Sequence, residues 1–507
     1  MAAQLQGSER PETEAQDHGG QVGFRRRVTA GVVWAAAATW GNQVLHMVLF
    51  VVLGRLLGPE AYGIIAMALI VTASCQLLVA DGGWHEALVT RADLQALHCD
   101  SLFWSLLALG GAIAGVVTLA APLIAWLLGT PELSLLLPAL VLTLPLTSLA
   151  LVPNALLHRD LRFGALALAS WLGLLAAGGT GIGLALAGAG AWSLVGFHLA
   201  EAAMLLAVVG FAARWRPRMQ FSLPHLSAIF WYSRNVFADN ALHLLDYLLP
   251  RSIIAVALGP TALGYFSIAR KVTELIEEAI LGPLANVALP AFAAVRAVPA
   301  RLAAGVALAL RGATLIGFPA ALGLFLIAPE LVAIALGDAW VPSGSILSWL
   351  ALALLAMPVL RVVRALMQGL GKVRLQLMLT LLSTVLLAVL IVTLVFVTGL
   401  AGVAVALALQ PVLMIPVYVV AVRRACGVDL LASLRQALPA LAAAALMVVS
   451  LLVWLGLMEG SSDLFLLSTA VPLGVAVYLA AIAMLDPAIL REGWMAWRSL
   501  RERPQKG

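Results

Sequence analysis

Predominantly apolar runs follow one another along the chain, each near the ~20 residues a helix needs to cross a bilayer. Short polar breaks separate them. The pattern predicts about fourteen spanning segments, beginning near Val28, Tyr62, Ser101, Ser134, Phe163, Ala191, Ala228, Thr261, Ala303, Ser345, Val373, Gly402, Gln436 and Leu464. Several carry an internal proline, such as Pro122, Pro145, Pro319, Pro358 and Pro411. Membrane helices tolerate these where neighbours satisfy the freed backbone groups. The expected fold class is all-α and integral to a membrane, with no stretch left over for a soluble catalytic domain.

Composition agrees with the pattern. The chain is 63% hydrophobic and 11% charged, with mean hydropathy +1.03. Soluble domains are about 45–50% apolar and about 25% charged. The net charge of +5 does not indicate nucleic acid, because the basic residues sit in short loops between apolar runs. One set of loops carries Arg25–Arg27, Arg91, Arg159, Arg162, Arg214, Arg216, Arg218, Arg296, Arg301, Lys372, Arg374, Arg423, Arg424 and Arg435. The alternate set holds no Lys or Arg, apart from Arg55 at its edge. The basic set is therefore expected on the cytoplasmic side, with both termini inside. Cys75, Cys99 and Cys426 imply no disulfide framework. The run from Val28 to Leu53 is longer than the ~7–15-residue core of a signal peptide, so it reads as a first membrane helix.

The chain repeats itself. "LGPEAYGIIAMA" from Leu57 recurs as "LGPTALGYFSIA" from Leu258, an offset of 201 with half the positions identical. Two further joints recur in the same order: "LAAPLIAWLLG" with "LIAPELVAIALG", and "LAGAGAWSLV" with "VTGLAGVAVA". Six segments separate each pair, so the halves share one orientation. The expected architecture is two pseudo-symmetric six-helix lobes, residues 25–213 and 214–427. Two more helices follow over 428–486. Tails flank them at 1–24, polar and disordered, and 487–507, amphipathic or disordered. Paired bundles with a seam suit alternating access by rocking.

Charge is concentrated in the second half. On the seventh segment Asn235, Asp239, His243, Asp246 and Pro250 fall within an arc of roughly 80°. Arg234 and Arg251 lie off it, placed to snorkel. Mid-membrane charges cost about 2.5–3.5 kcal/mol each, so the stripe should face water or partner charges. Asp239, His243 and Asp246 suit either a proton relay or a buried hydrogen-bonded trio. On the eighth segment Ser267, Arg270, Lys271, Glu274, Glu277 and Glu278 share an arc of roughly 120°. They form either a self-neutralised packing face or a substrate-facing one. On the tenth, Arg361, Arg364 and Gln368 follow at i, i+3, i+7. Guanidinium forks suit phosphate oxygens, or the eighth-segment glutamates, or lipid headgroups. No nucleotide-binding, metalloprotease, redox or serine-hydrolase motif is present. The expectation is a transporter rather than an enzyme, without cofactor or structural metal, driven by H+ or Na+ coupling or by downhill supply.

"GRLLGPEAYGIIAMALIV", "DGGWHEALVTRADL", "PNALLHRDLRFGALAL", "GAWSLV", "RWRPRMQFSL", "ALGYFSIARKV" and "GDAWVPS" stand in an order similar to the polysaccharide transporter family. That family belongs to the multidrug/oligosaccharidyl-lipid/polysaccharide exporter superfamily. The resemblance covers about Thr29 to Arg424 and implies two lobes in a V around a central cavity. It also implies a flippase of undecaprenyl-diphosphate-linked oligosaccharide in the bacterial inner membrane. Such a flippase would work beside glycosyltransferases and a polysaccharide polymerase in exopolysaccharide, capsule or O-antigen assembly. Arg270, Lys271, Arg361, Arg364 and Gln368 would then meet the diphosphate. Asp239, His243, Asp246, Glu274, Glu277 and Glu278 would supply coupling sites. Relatives carry an acid shortly before the outer end of the seventh helix. Pro250–Arg251 stand there here, so Asp246 rests on the stripe alone. Rival readings are a small-molecule exporter of the same superfamily and a peptidoglycan-precursor flippase. The short non-basic loops argue against a polymerase or ligase.

Overall fold

The computed structural model describes residues 12–296, 298–458 and 460–487, which are helical throughout with no strand among them. It does not describe the side chains of 12–40, Asn235, Asp239, 281, 283–287 and 373. The amphipathic or disordered tail expected beyond 487 therefore lies outside the described residues. The tail expected over 1–24 falls on undescribed residues and on the first turns of the first helix.

The first half runs through α1 (Glu12–Val79), α2 (Trp84–Thr90), α3 (Ala96–Leu127), α4 (Leu133–Val141), α5 (Thr143–Arg159), α6 (Phe163–Leu186) and α7 (Trp192–Ala212). The second runs through α8 (Leu223–Val295), α9 (Pro299–Leu336), α10 (Val341–Ala353), α11 (Met357–Gly369), α12 (Val373–Thr398) and α13 (Leu400–Cys426). The short α14 (Leu430–Arg435) leads to α15 (Leu438–Leu457) and α16 (Asp463–Leu485). This last pair packs on α9, where the Tyr478 hydroxyl donates to the Leu315 carbonyl at 2.6 Å and Arg311 meets Asp486 at 2.7 Å.

Among the described residues, eleven helices are long and apolar enough to cross a membrane, or twelve with one bent pair counted as a span. The sequence predicted about fourteen. The difference has a physical origin: α1 and α8 each merge two helices across a single non-helical glycine. Gly58 has φ 75° and ψ 173°, and Gly259 has φ 81° and ψ −175°. Those dihedrals are essentially closed to residues with a Cβ. Pro59 and Pro260 follow, each opening the helix beyond the joint. The repeated "LGP" is thus a hinge built twice.

The two hinges meet. A Cβ at Gly63 would be driven into the Pro260 carbonyl, and a Cβ at Gly264 into the Pro59 carbonyl. Since the offset of the repeat is 201, these two contacts are the same contact seen from each half. Backbones touch because neither glycine carries a side chain, the mode of close helix packing that lipid favours. Trp340 seals the same end. It is fully buried, its Nε1 donates to the Gly54 carbonyl at 3.0 Å, and it lies edge-on to Tyr62 and Tyr265. Arg55, the one basic residue at this end of the repeat, caps α9. It donates to the Ala335 carbonyl at 2.7 Å and also to that of Ile334.

At the opposite, basic end many arginines do similar work. Arg159 donates to the carbonyls of Leu88 and Arg91 at 3.0 and 2.7 Å, and Arg162 to that of Ala212 at 2.7 Å. Arg91 grips Asp93 at 2.6 Å, and that bond holds the carboxyl below the usual carboxylate range. The halves touch here too. Ser233 of α8 donates to the Gly83 carbonyl at 2.8 Å, and Asn240 to that of Asp81 at 2.7 Å. Thr90 and Tyr232 share a 2.7 Å hydrogen bond. The halves therefore meet near both ends.

Replacing Gly264 by Ala should overpack the crossing and lower stability by about 1–3 kcal/mol. Gly111→Ala, on a helix face with no neighbour within 4 Å, should be neutral or stabilising. Thermal unfolding of the purified protein in detergent compares the two. Equal midpoints would mean that the crossing yields without strain.

Candidate functional site

Two cavities lie along α8. The first, about 300 Å³, sits inside the second half. α8 gives it His243, Asp246, Arg270 and Glu277, and α11 gives Arg361 and Arg364. Gln376 and Ser383 of α12, with Gln410 and Tyr418 of α13, close it. The second, about 280 Å³, lies between the halves. The first half contributes His46, Tyr62 and His198, facing Ser267 and Lys271 of α8. Tyr247, Arg251 and Glu274 line both cavities and form the partition.

The bend between α10 and α11 places the tenth-segment arginines. The two helices meet at 47°, with Pro358 in the first turn of α11. Without a backbone N–H, that proline opens a helix more readily than it continues one. α11 buries Val359, Val362, Val363 and Leu366, and turns Arg361 and Arg364 into the first cavity.

Each arginine there finds a partner. Arg361 donates to Glu277 Oε1 from Nε at 3.0 Å and from Nη2 at 2.7 Å, and lies 4.0 Å from Glu278. Glu278 itself is largely exposed. Arg270 and Arg251 share Glu274 Oε1, at 3.1 and 3.3 Å. Arg364 Nη1 lies 3.4 Å from His243 Nε2. Asp246 accepts a 2.5 Å bond from the Thr384 hydroxyl, and Gln410 donates to Ser383 beside it.

Arg251 departs from expectation. Placed to snorkel by the sequence pattern, it is instead 7% exposed. Its guanidinium stacks 3.7 Å from the Tyr247 ring centroid and donates to the Tyr247 carbonyl at 3.0 Å. A guanidinium this far from a headgroup is stabilised by Glu274 and by the ring face.

The predicted residues divide accordingly. His243, Asp246, Arg270, Glu274, Glu277, Arg361 and Arg364 come together in the first cavity. Lys271, next in sequence to Arg270, points into the second. Gln368 and Glu278 are exposed and line neither cavity. The Asp239 side chain lies outside the described residues. Sequence reasoning did not single out Tyr247, Gln376, Ser383, Thr384, Gln410 and Tyr418, nor His46 and His198. Their signal is faint: isolated polar residues inside apolar segments. Two buried acceptor or donor atoms at the cavities, Gln376 Oε1 and Ser267 Oγ, have no partner among the described residues.

With this geometry in hand, comparison with known proteins places the chain. It is 28% identical over 328 residues to the succinoglycan biosynthesis transport protein ExoT of Rhizobium meliloti, covering 64% of this chain and 66% of that one. It is 24% identical over 325 residues to the lipopolysaccharide biosynthesis protein WzxC of Escherichia coli, covering 63% and 65%. The matches thus span just under two thirds of the length of these relatives. Among solved structures, the lipid II flippase MurJ in an inward closed conformation superposes with TM-score 0.73 at 12% identity, over 90% of this chain and 100% of that one. An inward-facing multidrug resistance MATE transporter gives 0.60 at 20% identity, over 75% and 94%. These likenesses establish a shared two-lobed membrane fold. A family described as polysaccharide biosynthesis protein matches residues 52–345, more than half of the chain, and to that family this protein belongs.

Proposed function

We propose that the protein is a flippase that carries an undecaprenyl-diphosphate-linked oligosaccharide across the bacterial inner membrane by alternating access. The carrying observation is the interlobe cavity, where Lys271 and Arg251 face the first-half histidines His46 and His198 beside Glu274, with Glu201 set back 3.9 Å from His198. A diphosphate offers acceptor oxygens to Lys271, which has no carboxylate within ion-pair distance among the described residues, and the lipid tail needs no cavity because it can stay in the bilayer. The names of the relatives, transport and biosynthesis proteins for two polysaccharides, support the same reading. The basic end would face the cytoplasm, with both termini there, since positive loops resist translocation. Glycosyltransferases would supply the substrate on that side, and a polymerase would consume it on the other.

Lys271 is the first contact for the anion. Ser267, whose hydroxyl is unpartnered, offers a donor on the same wall. Arg270, Arg361 and Arg364 are held by Glu274, Glu277 and His243 in this conformation. A phosphate oxygen would compete for all three, and a proton on Glu274 or Glu277 would release Arg270 or Arg361, because it removes the attraction of the existing pair. Gln368 and Glu278 at the rim play no direct part in that exchange. Asp246, with the hydroxyls of Thr384, Ser383 and Tyr418 and the amide of Gln410 nearby, forms an oxygen-rich corner suited to H+ or Na+. Asp239 and His243 lie on the same stripe of α8. Cation occupancy at Asp246 would bias one lobe orientation over the other through its differing affinity for the two.

Reconstitution into vesicles with a labelled polyprenyl-diphosphate oligosaccharide tests the activity. Lys271→Ala combined with Arg364→Ala should slow translocation at least about tenfold, a loss of about 1.4 kcal/mol, while the protein stays folded. Unchanged transport would remove the anion assignment. Asp246→Asn should leave downhill transport running but flatten its dependence on an imposed proton or sodium gradient. A gradient response that survives the change would make Asp246 structural.

The Arg361–Glu277 pair makes its own prediction. Either Glu277→Gln or Arg361→Gln alone strands a charge in an apolar surround, at a cost of about 3–5 kcal/mol for a fully buried pair and less here. The double variant should regain much of the loss. Additive destabilisation in thermal unfolding would show that the two groups are not coupled.

A further inference from the structure

A third cavity lies on the outer face of the second half, away from the seam. It is an open trough of about 620 Å³ between α12 and α13, lined by Leu375, Pro416, Val417, Val420, Ala421 and Arg424. Its wall is apolar along its length and cationic at one end. Pro416 interrupts the α13 backbone hydrogen-bond ladder midway along it. At the charged end the Lys372 ammonium donates to the Ala425 carbonyl, tying the start of α12 to the end of α13.

The charge at that end is uncompensated. Arg374, Arg423 and Arg424 are exposed, and among the described residues none pairs with a carboxylate. Asp429, the nearest acid in sequence, instead caps α14, accepting from the amides of Leu431 and Ala432 at 3.0 and 3.2 Å. Arg424 thus lines the trough, and Arg374 and Arg423 each stand next in sequence to one of its lining residues. At the same end Arg159 and Arg162 donate to helix carbonyls and Arg91 to an acid, while Arg214, Arg216 and Arg218 are exposed but line none of the three cavities.

We propose that this trough binds an anionic glycerophospholipid from the leaflet at the basic end. Its phosphate group lies between Arg374 and Arg424, and one acyl chain runs along Leu375, Val417 and Val420. Charge complementarity selects the headgroup, since guanidinium forks match phosphate oxygens. The concavity distinguishes the site from arginines that merely snorkel, because it removes an acyl chain from the bulk lipid as well as pairing its phosphate. The site is separate from both α8 cavities and stands whether or not the transport reading does.

The test uses the full-length protein, delipidated in detergent and titrated with phosphatidylglycerol or phosphatidylethanolamine of identical acyl chains, read by native mass spectrometry. Wild type should hold phosphatidylglycerol at least about tenfold more tightly, a difference of about 1.4 kcal/mol. Arg374→Ala with Arg424→Ala should erase that preference. Val420→Trp, at an exposed position, should fill the trough and displace the lipid although the arginines remain. Equal binding of the two lipids to wild type overturns the proposal. So does loss of binding in the arginine variant alone, which would reduce the site to surface attraction. Loss in Val420→Trp alone would leave a trough indifferent to headgroup and overturns the proposal as well.

Discussion

Within lipid, two helices gain nothing by hiding apolar side chains from one another, because the surrounding tails are equally apolar. What holds two lobes together in that solvent is close approach of backbones and the few hydrogen bonds that approach permits. The crossing of Gly63 with Pro260 and of Gly264 with Pro59 meets that requirement at one place on the pseudo-symmetry axis. Two glycine hinges, Gly58 and Gly259, aim the helices at it. Trp340 and Arg55 add directional bonds from the second and first halves respectively. The contact is tightest at this crossing and continues into an apolar core that both halves share, where Leu53, Ile65 and Met67 lie with Leu263, Phe266 and Ile268. The hydrogen bonds at the opposite end, Ser233 to Gly83 and Asn240 to Asp81, are made by single side chains and are the natural ones to break first.

The same solvent governs the charges. A lone ionised group at mid-membrane costs about 2.5–3.5 kcal/mol, so a helix with several such groups inserts only if they answer one another. In the second half they do. Four arginines line the first cavity against Asp246, Glu274 and Glu277, and Glu274 serves two of the four. A compensated cluster is stable but selective. Arg251, Arg270 and Arg361 are each held by a carboxylate, whereas Arg364 meets, among the described residues, only the ring nitrogen of His243.

Much of this was legible in the chain. Membrane spans follow from apolar length, and helix starts such as Phe163 and Val373 were placed to the residue. The duplicated joint was visible at an offset of 201 because glycine–proline chemistry is local and needs no tertiary partner. What the joint touches was not visible: nothing in "LGPEAYG" says that its glycine faces a proline carbonyl from the other half. Of the polar stripe on α8, His243, Asp246 and Pro250 stand together on the first cavity, while the Asn235 and Asp239 side chains lie outside the described residues. Yet treating Arg270 and Lys271 as one face hid the partition, since neighbours about 100° apart on a helix can serve different cavities. Arg251 was misread because a helical wheel shows angle but not depth or the presence of Tyr247 beneath it. Ser383, Thr384 and Gln410 left no pattern, being uncharged and single in segments otherwise rich in leucine and valine.

The fold is duplicated but the chemistry is not, and the partition explains how one side can inform the other. Glu274 Oε1 touches Arg251, which walls the interlobe cavity, and Arg270, which walls the inner one. A ligand drawing Arg251 away leaves Glu274 to Arg270 alone; a proton on Glu274 loosens both. Spatial intermediacy is not coupling, which requires that each event favour the same lobe arrangement. But the second half alone owns the cluster, and α8 carries it into contact with the first half at Gly63 and again at Gly83. The Gly259 hinge divides α8 between Asp246 and Arg251 on one side and Arg270, Glu274 and Glu277 on the other, so the Arg251–Glu274 pair ties the two segments of that helix together across its own hinge.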